Sequence, residues 1–251
     1  MRFLLIDNSN TRTKLAFGSE NELEDWFVRI PTAEVSEHTL SQALEGQEWD
    51  ATLLCSVVPE KAAIIKDTLS DKPFHQLTHQ SKLGVGIDYP NPAQIGADRL
   101  ANSIAAHQLY GAPTIVIDFG TAVTFDIILP ANTADKANYV GGVIAPGLGA
   151  MTDYLTKKTA LLPKIELTEP DSAIGKSTEQ AMDIGAVYGY RGLVKEIIAQ
   201  LSKEVTSTPT IVCTGGDGAL IAEGVKEIHH FHPTITIEGI RIAASLQFCK
   251  S

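Results

Sequence analysis

The chain has 251 residues, with 20 Lys plus Arg against 30 Asp plus Glu and a formal charge of −10. Hydrophobic residues make up 44% and charged residues 20%, an ordinary composition for one or two globular domains and too apolar for a disordered chain. The acidic balance argues against general nucleic-acid binding, and no run of ~18 apolar residues is present to span a membrane.

Cys55, Cys213 and Cys249 are too few and too scattered for a disulfide framework or a thiolate metal site. Asp7, Asn8, Asn10, Arg12 and Lys14 interrupt the first 17 residues, unlike a signal peptide. A reduced, cytoplasmic setting is the expectation.

Residues 3–6 and 14–17 read as two strands joined by a polar turn. Residues 51–58 form another apolar run, stopped by Pro59, and residues 60–69 have helical spacing through Ala62, Ile65 and Leu69. Residues 72–92 are rich in Pro, Gly, His and polar side chains and predict short strands and loops. A helix is expected over 96–110, ended by Gly111 and Pro113. The pattern then begins again. Residues 114–117 and 123–129 are strands around Asp118, Gly120 and Thr121, and the segment 114–128 aligns with 3–17 as strand, Asp, small residue, Thr, strand. Such a repeat predicts duplication of one α/β unit, with a boundary near 111–113. Further on come a strand at 139–146, a helix at 147–159, a loop at 161–171, and a long helix at 177–201. The last contains Gly185, Gly189 and Gly192, which permit close helix packing. A strand at 210–213 ends in Thr-Gly-Gly. The last strand is expected at 234–237, followed by a helix at 240–248.

Chemistry concentrates at the two Asp-bearing hairpins. A carboxylate at a strand tip can hold a hydrated cation, and small residues beside it let backbone N–H groups approach phosphate oxygens. Thr hydroxyls and Lys14 add donors. One copy reads as a capped turn; two copies with Thr214-Gly215-Gly216 predict a phosphate clamp. Asp98, early in the 96–110 helix, needs no explanation beyond the helix dipole. Arg99 gains nothing from that dipole, and a ligand carboxylate would explain it.

These stretches resemble the type III pantothenate kinases of the actin/hexokinase superfamily. The matching segments are 7–14, Ser56-Val57-Val58-Pro59, Tyr89-Pro90-Asn91-Pro92, 96–99, 118–126, 141–147 and 214–216, in order along nearly the whole chain. The resemblance implies an α/β fold of two duplicated ribonuclease-H-like (actin-like) lobes, 1–112 and 113–251, with a cleft between them. It implies ATP-dependent phosphorylation of pantothenate to 4′-phosphopantothenate, the first step of coenzyme A biosynthesis. Asp7, Asn8, Ser9, Asn10, Thr11, Arg12, Thr13 and Lys14 would form the first phosphate loop for ATP with Mg²⁺, and Thr121 would be a further ATP contact. Asp98 would accept the proton of the pantothenate hydroxyl. Tyr89, Gly96, Ala97, Asp98 and Arg99 would line the substrate site. Asp118 matches a monovalent-cation position for K⁺ or NH₄⁺. Thr178 matches a contact reaching pantothenate from a neighbouring subunit, which implies a homodimer with the substrate site at its interface.

Ser9 departs from the family pattern, which has Gly there. If that position needs a positive φ, Ser strains the loop, and Ser9→Gly should leave turnover intact or improve the response to ATP. A regulatory, transcription-accessory protein on the same fold is the alternative reading, and another sugar kinase or a phosphatase is a third. Gly175-Lys176-Ser177 lacks the Gly a phosphate-binding P-loop needs five residues earlier, where Pro170 stands. His229, His230 and His232 read as a solvated loop.

Overall fold

The computed structural model describes residues 1–132 and 136–249. The chain divides into two compact units. The first comprises Met1–Gly111, Pro130–Gly141 and Thr234–Ser251; the second comprises Ala112–Leu129 and Gly142–Pro233.

In the first unit, strands β1 (Phe3–Asn8), β2 (Arg12–Gly18), β3 (Leu23–Pro31), β4 (Ala51–Ser56) and β5 (Phe74–Gln76) form one sheet in the order β3-β2-β1-β4-β5. β1 runs antiparallel to β2 and parallel to β4. Every residue of β1 is buried, so it is the central strand, and alternation sorts its side chains between two faces. Leu4 and Ile6 join Leu15, Phe17 and Leu54 in a core closed by Leu40 of α1 (Glu37–Ala43) and Ile65 of α2 (Pro59–Leu69). Trp26 and Trp49 pack on the Phe17 ring at 4.6 and 6.2 Å. Helix α3 (Ala97–Tyr110) packs on α7 (Ile235–Phe248), and α7 lies against β1 and β4. Phe3 meets Phe248 on that side, at 6.1 Å between rings.

The strand expected at 234–237 is the first turn of α7. Ile235, Thr236 and Ile237 have the β-branched look of a strand, yet all three are buried along with Ile240, Ala243 and Ala244, an apolar face at helical spacing. Tertiary packing outweighs β propensity here. The Thr236 hydroxyl donates to Asn102 Oδ1 of α3 at 2.8 Å, and Gly239 lies so close to the Ala101 carbonyl that no Cβ fits. β3 and α1 escaped the sequence reading. β3 shows the burial pattern of a half-exposed edge strand with no clean alternation. α1 spans only seven residues and starts from a Ser36/Thr39 capping box.

The second unit repeats the plan. β7 (Thr114–Phe119) is antiparallel to β8 (Ala122–Pro130) and parallel to β10 (Thr210–Gly215), and β10 is parallel to β11 (His230–Phe231). The order β11-β10-β7-β8 reproduces β5-β4-β1-β2 with the same strand directions. The duplication expected from the two hairpins is therefore present as topology. β9 (Ala137–Pro146) follows β8 in the sheet, and its first half pairs in parallel with β6 (Gly86–Ile87) in the first unit. Helices α4 (Leu148–Lys158), α5 (Thr178–Glu204) and α6 (Gly218–Ala222) complete the second unit. The Gly-Lys-Ser stretch is a helix start, with the Ser177 hydroxyl accepting the Gln180 N–H at 3.2 Å. His229 Nδ1 accepts the backbone N–H of Ile211 at 2.9 Å, and His230 lies in β11, so these histidines border the sheet.

Candidate functional site

The β1–β2 hairpin places Asp7 opposite Lys14. Asp7 is 2% exposed and carries donors on both oxygens: the Ser9 hydroxyl on Oδ1 at 2.8 Å and the Lys14 ammonium on Oδ2 at 2.8 Å. Ser9 is not among the described residues with positive φ, so the strain considered for a non-glycine residue there is absent. Below the turn, Asn8, Thr13 and Thr32 are buried and hydrogen-bonded to one another in series.

Gly96 is the N-cap of α3, and Ala97, Asp98 and Arg99 form its first turn. Asp98 Oδ1 accepts the Arg99 backbone N–H at 2.8 Å. Burial is the main cause that pushes the Asp98 carboxyl above the usual range; the Asp7 charge pushes the same way, while the Arg99 amide and guanidinium pull back. Asp7 and Asp98, 91 residues apart in sequence by their numbering, therefore share one electrostatic environment. The Arg99 guanidinium lies 5.6 Å from the centre of the Tyr139 ring, and Tyr139 is 6.1 Å from Tyr89. Thus the first unit gathers Asp7, Lys14, Asp98, Arg99 and Tyr89 with Tyr139, which the sequence reading missed. A buried Tyr inside an apolar strand carries no local signal of this role.

In the second unit Asp118 occupies the position equivalent to Asp7. It pairs across β8 with Thr124 and across β10 with Thr214. The hairpin tip is held by the Gly120 N–H donating to the Ala122 carbonyl at 3.1 Å and the Gly147 N–H donating to the Thr121 carbonyl at 3.2 Å. Gly215 has φ +94°, pressed against the Phe119 backbone where any Cβ would collide, so the Thr-Gly-Gly motif needs Gly at that position. Tyr190 of α5 is fully buried and donates to the Pro146 carbonyl at 3.1 Å, which fixes the turn entering α4. Burial, with the Asp217 charge, raises its phenol far above the usual value.

Thr178 opens α5 and lines a cavity of about 770 Å³ between α4 and α5. Its walls include Met151, Tyr154, Leu155, Leu162 and Met182. Among the described residues, no three His, Cys, Asp or Glu side chains gather as a metal cage.

The two sheets share one strand topology, each with an acidic hairpin at its start, and define an α/β fold of two duplicated units of the actin-like type. The fold is similar to that of a Campylobacter jejuni protein described as a Baf family transcriptional activator (TM-score 0.62, 20% identity, 96% of this chain and 97% of that one). It is also similar to component A of the Acidaminococcus fermentans (R)-2-hydroxyglutaryl-CoA dehydratase (TM-score 0.55, 13% identity, 97% and 96% covered). At those identities the likeness concerns the fold alone. The sequence model of the family described as type III pantothenate kinase matches residues 3–200. A type III pantothenate kinase of Akkermansia muciniphila is 56% identical over 246 residues, covering 98% of this chain and 99% of that one. The chain belongs to the type III pantothenate kinase family. It is a kinase that phosphorylates pantothenate at the expense of ATP, in coenzyme A biosynthesis.

Proposed function

We propose that Asp98 is the general base of this reaction, accepting the proton of the pantothenate primary hydroxyl as that oxygen attacks the γ-phosphorus of ATP. The observation that carries this is its environment: a partly buried carboxylate, raised in pKa by burial and by Asp7, sits in the first turn of α3. A raised pKa brings a carboxylate closer to the range in which a base works well near neutral pH. Arg99, adjoining it, would hold the pantothenate carboxylate through its planar fork. Tyr89, Gly96 and Ala97 would shape the remainder of the substrate site.

The hairpin 7–14 would receive the ATP phosphates through turn amides and Lys14, while Thr121 contacts the nucleotide from its own hairpin. A carboxylate beside a phosphate-binding turn suits Mg²⁺, which keeps most of its waters and rides on phosphate oxygens with one or two carboxylates. Asp7 fits that donor set. Asp118 offers a hard oxygen ligand that K⁺ or NH₄⁺ would take, adding positive charge beside the phosphates.

A homodimer is part of the same reading. The α4–α5 cavity is apolar, Tyr154 and Leu161 nearby are 61% and 89% exposed, and open space surrounds Gly185, Gly189 and Gly192 on α5. A second copy docking there would cover these groups, and Thr178 would reach the partner's substrate. Use of ATP favours the cytoplasm, and no helix among the described residues is long and apolar enough to cross a membrane.

The test is ADP release with and without pantothenate, in K⁺ and in Na⁺ buffer, for the parent and Asp98→Asn. Pantothenate-dependent release that needs K⁺ and vanishes in Asp98→Asn supports the assignment. ATP hydrolysis indifferent to pantothenate, or full activity in Asp98→Asn, overturns it.

A further inference from the structure

The first hairpin rests on a buried chain of side-chain hydrogen bonds whose direction can be worked out. The Thr32 hydroxyl donates to the Ser9 carbonyl at 2.7 Å, which uses its only hydrogen. Thr13 and Thr32 hydroxyls are 3.0 Å apart, so Thr13 must be the donor between them. Asn8 Nδ2 in turn donates to Thr13 at 2.7 Å, and Ser56, at the end of β4, donates to Asn8 Oδ1 at 2.6 Å. The order Ser56, Asn8, Thr13, Thr32, Ser9 is therefore unidirectional, and each bond polarises the next in the same sense. Asn8 and Thr13 are fully buried and Thr32 is 3% exposed, so water offers little competition. The chain ends on the backbone of the residue whose hydroxyl holds Asp7 Oδ1.

The two partners of the Lys14–Asp7 ion pair differ in exposure. The Lys14 side chain is 32% exposed, and the Asp7 side chain 3%. A partly exposed ammonium on a flexible stem has room to turn to a phosphate; the buried carboxylate does not. We infer that Ser9, braced by the Ser56–Asn8–Thr13–Thr32 relay, is a positioning residue that keeps the Asp7 carboxylate in place when Lys14 leaves it for a nucleotide phosphate. This rests on the reading of hairpin 7–14 as the ATP loop. It also reverses the expectation for Ser9→Gly: there is no positive φ to relieve, and the substitution removes a donor to a buried carboxylate.

The experiment compares the parent with Ser9→Ala, Thr32→Val and Thr32→Ser. Three readouts serve: steady-state kinetics, calorimetric binding of Mg-ADP, and amide hydrogen exchange across residues 9–12. Ser9→Ala is expected to lower kcat and weaken Mg-ADP binding by about tenfold, the loss of one hydrogen bond to a charged group, with KM for pantothenate unchanged. Thr32→Val, equal in shape but without the hydroxyl, should speed exchange at 9–12 and weaken Mg-ADP binding. Thr32→Ser should restore both. Ser9→Ala with parental kcat and Mg-ADP affinity overturns the inference, as does a Thr32→Ser variant no better than Thr32→Val. Failure of the parent to release ADP in response to pantothenate would instead count against the ATP-loop reading, while Mg-ADP binding and exchange still judge the brace.

Discussion

The Lys14 ammonium lies 2.8 Å from Asp7 Oδ2, directly across the β1–β2 pair, so a partly exposed cation stands beside a buried anion. Replacing Lys14 by Met keeps the aliphatic stem and removes the charge. The kinase should lose about 10²-fold in kcat/KM for ATP, as when one preorganised donor to a developing phosphate charge is deleted. Asp7 keeps its Ser9 donor, so chemical denaturation should report a loss of only about 1–3 kcal/mol in stability. Parental kinetics in Lys14→Met would remove Lys14 from the phosphate site.

Asp98 leads to a prediction with opposite signs for activity and stability. Its pKa is raised in the folded protein, chiefly by burial. The folded state therefore holds the Asp98 proton to higher pH than the unfolded chain does. Stability falls as pH climbs from the ordinary Asp value to the raised one, and above that the full cost of a buried charge is present. Asp98→Asn removes this cost and can still accept the Arg99 N–H. It should melt at a higher temperature than the parent at pH 7 while turnover disappears. In the parent, kcat/KM should fall on the acid side as pH drops through the raised Asp98 value. A lower melting temperature in Asp98→Asn would mean that the ionised carboxylate stabilises the fold.

The two hairpins of the candidate site were legible because each places its polar residues in consecutive positions. Asp7 to Lys14 and Asp118 to Thr121 each lie on one strand–turn–strand, and strand alternation with a polar turn is a local signal. Thr32, Tyr139 and Tyr190 were not legible. Each reaches its partners through tertiary structure, from the 3-10 turn after β3, from β9 or from a long helix. In sequence they look like ordinary strand or core residues. The strand misassigned at 234–237 has the same origin, since only the neighbouring α3 reveals why Ile235 and Ile237 take a helical face.

Gly239 provides a test of that packing. A Cβ there would drive into the Ala101 carbonyl of α3, with backbone on both sides. Gly239→Ala gains helix propensity of about 1 kcal/mol in an isolated helix. In the folded protein it should instead be destabilising by about 1–3 kcal/mol, because α3 and α7 must move apart. Urea titration measures the difference. A neutral or stabilising result would show that α7 does not lie this close to α3.

The apolar face of α4 and α5 makes the last prediction. Leu155 is 39% exposed and lines the cavity beside Thr178. A second copy seated there would bury it, and a charge placed at that point would be left without water or partner. If this docking forms a dimer, Leu155→Asp should shift it to monomer in sedimentation equilibrium at micromolar concentration. Because the substitution is at an exposed position, the melting transition of the monomer should persist. If Thr178 serves a partner's substrate site, the monomer should also show a raised KM for pantothenate while Mg-ADP affinity holds, since the hairpin 7–14 proposed for the phosphates lies within one chain. A parent that sediments as a monomer, or a Leu155→Asp variant that remains dimeric with unchanged KM, would place the assembly surface elsewhere.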